Sequence, residues 1–223
     1  MGLGQRLSAG LDWYRGWRMA RSTGPLANFH RNGGNRLLVE NLPVTSDELV
    51  FDVGGFHGDW TAELQSRYGC RSVVFEPVPE FQRILSGRFA KNQRVQLVDA
   101  GLDSHTGRTS LWLAGDGSSV LRATGGASVK VDMLGVAEAF VSFADTQPIV
   151  ACMKLNVEGA EYAVLETMLA AGLAGRVKCF LIQFHEVATT SRSRRFELQR
   201  RLSTSHRCDF DYPFVWEKWT ARI

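Results

Sequence analysis

The stretch Leu49-Val-Phe-Asp-Val-Gly-Gly-Phe-His-Gly-Asp-Trp-Thr61, followed by Val73-Val-Phe-Glu-Pro77, decides the fold. It reads as a buried strand, a glycine-rich turn, a helix and a second strand that ends on an acid. Leu49, Val50, Phe51 and Val53 form a short apolar run suited to a central parallel strand covered on both faces. Gly54, Gly55 and Gly58 let the backbone turn sharply and leave room for a ligand to approach the main chain. Trp60, Leu64 and Tyr68 recur at helical spacing, and Gly69 stands where a left-handed cap ends a helix. Glu76 lies about twenty residues beyond the turn, where an acid accepts hydrogen bonds from ribose hydroxyls. This order is the nucleotide-binding half of a doubly wound α/β sheet, with the ligand beyond the strand carboxyl ends. It predicts an adenosine-containing cofactor.

What precedes the glycines narrows the choice. A dinucleotide fingerprint, G-x-G-x-x-G, lays a pyrophosphate on tightly turned backbone at a helix N-terminus. Gly55 and Gly58 fit its last two positions, but Val53 occupies the first. Asp52 also puts a carboxylate just ahead of the turn, which suits a ligand carrying an ammonium and a sulfonium. S-adenosylmethionine is such a ligand.

Two further elements join these, Phe75-Glu-Pro77 and Met153-Lys-Leu-Asn-Val-Glu-Gly-Ala-Glu-Tyr-Ala-Val-Leu165. Together with Asp52–Thr61 they resemble the FkbM family of S-adenosylmethionine-dependent methyltransferases, from about Leu37 to the C-terminus. The resemblance implies a Rossmann-like class I methyltransferase fold: α/β, doubly wound, mostly parallel, with an antiparallel C-terminal strand. It also implies methyl transfer to a hydroxyl oxygen of a sugar, glycoconjugate or natural product. Asp52, Val53, Gly54, Gly55, Phe56, His57, Gly58, Trp60, Glu76 and Pro77 are then the expected cofactor lining. Asp99 and Ala100, ending a third strand, fall where such an enzyme contacts the adenine amino group. The family usually carries Asp-Val-Glu-Gly where this chain has Asn156-Val-Glu-Gly159. With Asn in place of a candidate carboxylate ligand, no metal is expected, because magnesium favours anionic oxygen.

The chain has 223 residues, enough for one well-cored domain. The expected division is 1–36, an amphipathic helix and loop, and 37–223, the methyltransferase domain. A net charge of +3 says little about partners, and no zinc-finger, RRM or KH signature is visible, so no nucleic acid is expected. Cys70, Cys152, Cys179 and Cys208 are widely spaced and form no C-x-x-C pair, which points to a reduced, cytoplasmic protein. No run is long enough to span a membrane, and no signal-peptide core is present. Residues 3–21 place Leu3, Leu7, Leu11, Tyr14 and Trp17 among Arg6, Arg15, Arg18 and Arg21. Such a helix can brace the catalytic domain or lie on an anionic membrane surface. Association into a homo-oligomer is left open.

Along the chain, residues 22–35 read as a loop. Strands at 49–53, 72–76 and 95–99 alternate with helices at 59–68 and 79–90. Residues 100–131 break the rhythm as a hairpin-like insertion over the sheet's working edge. Alternation resumes with a helix near 133–143, strand 149–155, helix 160–171, strand 177–184 and a helix near 192–203. An antiparallel pair around 208–211 and 214–221 closes the chain.

Methyl transfer from a sulfonium requires an acceptor oxygen held in line and relieved of its proton. Two clusters at strand ends offer the groups. Asn156 and Glu158 follow one strand, with Glu161 in a capping position at the next helix. His185 and Glu186 end the neighbouring strand, and His185 can act as base with Glu186 as its partner or as a substrate contact. Arg192, Arg194, Arg195, Arg200 and Arg201 form a basic run that is either a solvated face or a site for an acidic acceptor. Two alternatives to O-methyl transfer remain open from sequence: an NAD(P) oxidoreductase, disfavoured by the missing glycine and the lack of a Tyr-x-x-x-Lys pair, and a non-catalytic S-adenosylmethionine-binding protein.

Overall fold

The computed structural model describes residues 23–114, 117–119, 128–144 and 149–222. The helix expected over residues 3–21 lies outside them. The main sheet contains β1 (Leu49–Val53), β2 (Arg71–Phe75), β3 (Val95–Val98), β8 (Val150–Leu155), β9 (Cys179–Ile182), β10 (His206–Tyr212) and β11 (Trp216–Ala221). These seven strands lie in the order β10-β11-β9-β8-β1-β2-β3. Strand β11 runs antiparallel to both its neighbours, while β3, β2, β1, β8 and β9 pair in parallel.

Strand β1 is buried along its whole length. Leu49, Phe51 and Val53 face a core with Phe140, Tyr162 and Leu165, while Val50 faces the opposite core with Leu64 and Cys152. Burial on both faces explains why the run is almost continuously apolar. The crossover helices are α2 (Asp59–Tyr68), α3 (Pro79–Phe89), α4 (Val136–Ala144), α5 (Glu161–Ala170) and α6 (Ser191–Leu202), preceded by a shorter α1 (Pro25–Arg31). Helix α2 ends as its sequence demands, with Gly69 at φ 59° donating its N–H to the Gln65 carbonyl.

Three segments depart from the sequence reading. Residues 22–35 are not simply a loop. Gly24-Pro25 looks like a turn, but proline is tolerated in a first helical turn, and α1 starts there. Its Phe29 is 2% exposed and packs edge-on against Tyr212 of β10. A 3₁₀ turn at Gly34–Leu38 follows, so the expected boundary at 36/37 falls inside a packed turn.

The insertion is more than a hairpin. β5 (Gly107–Ala114) and β7 (Ser128–Gly135) pair antiparallel, with β6 (Gly117–Ser119) outside β5 and β4 (Gly101–Asp103) parallel to β7. Finally, residues 133–135 extend β7 rather than opening a helix. Their burial keeps the strand alternation, and α4 begins only at Val136. Val131, Met133 and Leu111 of this four-stranded sheet pack on Val78 and Phe81, at the start of α3. That contact sets the small sheet beside the carboxyl end of β2.

Candidate active site

The chain reverses its direction of winding between β1 and β8, so the crevice beyond their carboxyl ends is the topological switch point. The glycine turn after β1 lies there. Protein contacts require its first two glycines. A Cβ on Gly54 (φ +89°) would stand 2.1 Å from the Asn156 carbonyl oxygen, and one on Gly55 would stand 2.4 Å from Val74. The turn therefore rests directly on the segment leaving β8. The Asn156 N–H donates to the Val53 carbonyl at 3.0 Å, which fixes the same contact.

Asp52 is held by the protein's own groups. Its carboxylate is fully buried and accepts a hydrogen bond from Lys154 Nζ at 2.6 Å and another from the Thr61 hydroxyl at 2.6 Å. Lys154 Nζ also donates to the Gly54 carbonyl at 2.9 Å and lies 5.6 Å from the centre of the Trp60 ring. The charge ahead of the turn is thus neutralised internally, and the pair holds the turn in shape. Lys154 carried a signal that the sequence reading passed over. Two opposite charges inside apolar runs of buried strands must find each other, since an unpaired buried charge costs several kcal/mol. Trp60 is a brace as well, its indole N–H donating to the Leu38 carbonyl at 2.8 Å.

Glu76 lies where expected, at the end of β2, and is 5% exposed. Its two oxygens accept the Phe56 and Val78 N–H groups at 2.8 and 2.9 Å. Burial raises its pKa above the ordinary carboxylate range, against the opposing effect of those two bonds. Each oxygen keeps a lone pair, so the carboxylate anchors the turn and can still accept from a ribose hydroxyl. Phe56 (φ 48°) is held in the left-handed region by this bond and stacks on His57 with ring centres 3.8 Å apart. Asp99 is exposed at the end of β3, with Ala100 and Pro77 half-buried beside the same crevice. These residues fit an adenosine-bearing cofactor: an acid for the ribose, an open strand end for the base and an ordered turn between them.

The two candidate catalytic clusters converge. After β8, Glu158 (φ 51°) and Gly159 (φ 116°) make a left-handed turn. A non-glycine residue in that region is rare and clusters at functional sites. His185 Nε2 stands 3.4 Å from a Glu158 oxygen, and Nδ1 stands 3.3 Å from Glu161. Burial pushes the imidazole pKa down, but the Glu158 and Glu161 carboxylates outweigh it and raise it from 6.5 to about 9. His185 is therefore a cation near neutral pH.

Glu161, expected only to cap a helix, is completely buried. It accepts the Gly159 N–H and the His185 N–H, each at 2.8 Å. The Tyr162 hydroxyl donates to the His185 carbonyl at 2.9 Å. Glu186 does not partner His185: it pairs with Arg192 at 2.5 Å on the surface. Nor is the arginine-rich helix an open basic face. Arg194 pairs with Glu166, Arg195 with Glu217 and Asp211, and Arg200 with Glu197. Among the described residues no group of three His, Cys, Asp or Glu side chains is arranged to hold a metal. No described helix is long and apolar enough to cross a membrane.

Comparison with known proteins agrees with this geometry. Residues 52–212 match the sequence profile of the methyltransferase FkbM domain. A comparison with curated protein sequences returned no match. Among solved structures, SMU.1697c of Streptococcus mutans in complex with S-adenosylhomocysteine is similar, with a TM-score of 0.53 at 7% identity, over 84% of this chain and 96% of that one. An rRNA methylase from Streptococcus thermophilus gives a TM-score of 0.50 at 11% identity, over 92% of this chain and all (100%) of that one. At these identities the structures share the fold alone. With a family profile spanning the glycine turn, Glu76 and both candidate clusters, the chain belongs to the FkbM methyltransferase family, and its cofactor is S-adenosylmethionine.

Proposed function

We propose that the protein transfers a methyl group to a hydroxyl oxygen of a sugar, glycoconjugate or natural product. The observation that carries this reading is the meeting of Glu158, His185 and Glu161 at the carboxyl ends of β8 and β9. A hydroxyl is a poor nucleophile until its proton has somewhere to go, and an anionic carboxylate beside a fixed cation supplies that. Bound S-adenosylmethionine supplies an activated methyl group. The turn after β1 and Glu76 would hold that cofactor, and the carboxyl ends of β8 and β9 would present the acceptor oxygen to it. Glu158 takes the hydroxyl proton, while His185, already protonated, orients the oxygen through Nε2. Asn156, half-buried at the floor of the crevice, is a further polar contact for the acceptor.

This assignment moves the base from His185, the preference from sequence, to Glu158. A ring held protonated at neutral pH has no lone pair with which to accept. Glu158→Gln should lower kcat by roughly 10²–10⁴-fold with little change in S-adenosylhomocysteine affinity. The acceptor class is tested with S-adenosylmethionine labelled in its methyl carbon and a panel of free sugars, glycosides and polyols. The expected product shows the label at a methoxy chemical shift. A label recovered only on nitrogen, on carbon or on ribosomal RNA bases would overturn the reading.

A further inference from the structure

The buried carboxylate of Glu161 takes no proton in the chemistry above, yet it touches both halves of the site. Oε2 accepts the Gly159 N–H at 2.8 Å, and Oε1 accepts the His185 N–H at 2.8 Å. Oε1 also faces the His185 ring, 3.3 Å from Nδ1. One side chain thereby ties the turn after β8 to the end of β9. Helix capping alone explains the Gly159 contact. It does not explain the reach across to a neighbouring strand's histidine.

The other ring nitrogen completes the pattern. Among the described residues, His185 Nε2 is buried with no well-aligned hydrogen-bond partner, and its neighbour Glu158 stands at an ion-pair distance of 3.4 Å. A buried donor left without a hydrogen bond is uncommon, and a catalytic role is one reason a protein keeps one. When one ring nitrogen is fixed by a carboxylate, the other is committed to the reacting side. Resting on the reading that Glu158 and His185 receive the acceptor, we infer that Glu161 is the positioning residue of this site. It takes the Nδ1–H of His185 and holds the ring so that Nε2 meets the acceptor oxygen beside Glu158. Glu158, with 40% of its side chain accessible, is the arm that yields when the hydroxyl enters.

The groups that bear on His185 come from each side of it. Glu158 reaches it from the turn after β8, and Glu161 from the first turn of α5. The Tyr162 hydroxyl holds the His185 carbonyl, and the Arg194 guanidinium lies 4.8 Å from the centre of the Tyr162 ring. Glu186, next along the chain, is occupied by Arg192. Among the described residues, Glu158 is the carboxylate at Nε2 and Glu161 the one at Nδ1.

The test is nitrogen-15 NMR of the histidine rings in the full chain, saturated with S-adenosylhomocysteine and titrated with pH, so it needs no acceptor. His185→Asn identifies the signal. In the wild type, His185 should keep an exchange-protected, downfield Nδ1–H and titrate well above an ordinary histidine. Glu161→Gln removes the charge at nearly constant shape, and the His185 midpoint should fall by about one to three pH units. Glu161→Asp should restore part of that shift. A Glu161→Gln midpoint equal to the wild type's, or a wild-type ring with its proton on Nε2 and a bare Nδ1, would overturn the inference. The second outcome needs only the wild type, so it decides even if the variants do not fold. Should the shift occur while no methoxy product is ever found, Glu161 still positions His185 and the hydroxyl reading fails alone.

Discussion

At the scale of single residues, buried charges explain more of this molecule than its glycines do. Asp52 and Lys154 neutralise each other between adjacent central strands, with side chains 0% and 8% exposed. Breaking such a pair strands a charge, which typically costs about 3–5 kcal/mol. Asp52→Ala should therefore lower Tm sharply, and Asp52→Ala combined with Lys154→Met should recover part of the loss. A single variant that melts like the wild type would show that the pair is not formed.

Glu76→Ala tests a different role. It frees the Phe56 and Val78 N–H groups and removes the ribose acceptor, so S-adenosylhomocysteine affinity in calorimetric titration should fall about tenfold or more. Unchanged affinity would remove Glu76 from the cofactor site.

The pH dependence follows from His185. Its raised pKa means that the stabilisation from its ion pairs is complete below 6.5 and is lost as pH rises through about 9. With Glu158 as base and the His185 cation orienting the acceptor, kcat should fall over that same upper range. A rate that instead rises with pH through about 9 would return the base role to His185.

At the scale of elements, the strands that carry the site were legible because their residues answer to two cores. Strand β1 shows its fate in five residues, every one of them buried. The helix at 25–31 was hidden because Gly24-Pro25 marks a turn and a helix start equally well, and only contact between Phe29 and Tyr212 decides. The extension of β7 through Gly135 was hidden in the same way. Met133 to Ala144 is apolar enough for either period until pairing with β4 and β5 selects the strand.

Helix α6 shows how a charge run misleads in one dimension. Arg195, with 12% of its side chain exposed, holds the buried Glu217, whereas Arg200 pairs on the surface with 64% exposed. Arg195→Ala should cost about 3–5 kcal/mol in denaturant unfolding, because Glu217 is left buried and unpaired. Arg200→Ala should leave the melting temperature within experimental scatter. Equal effects from the two would mean that the Arg195 network is not formed.

At the scale of the whole molecule, the sheet order brings two distant segments together. Asn156–Glu161 and Gln183–Glu186 meet because β8 and β9 are parallel neighbours, with Leu155 opposite Ile182. In the resulting site the Glu158 and Glu161 carboxylates face His185, so they are poorly disposed to hold a cation as well. Methyl transfer should therefore keep most of its rate in excess EDTA, measured as S-adenosylhomocysteine release. Loss of activity with specific recovery by magnesium or manganese would show that a metal takes part.

By itself the sequence determined the architecture, the glycine turn, Glu76 at the end of β2 and the two clusters at strand ends. Those features are local, since a period, a turn residue or an acid at a strand end is written in neighbouring positions. Only the tertiary structure decided what each charge touches. Asp52 went to Lys154, Glu186 to Arg192 and Glu161 to His185. Partners of a charge are chosen across strands and turns, where desolvation penalises any buried group left alone. Spacing along the chain records which groups are available there, and packing in three dimensions settles which of them meet.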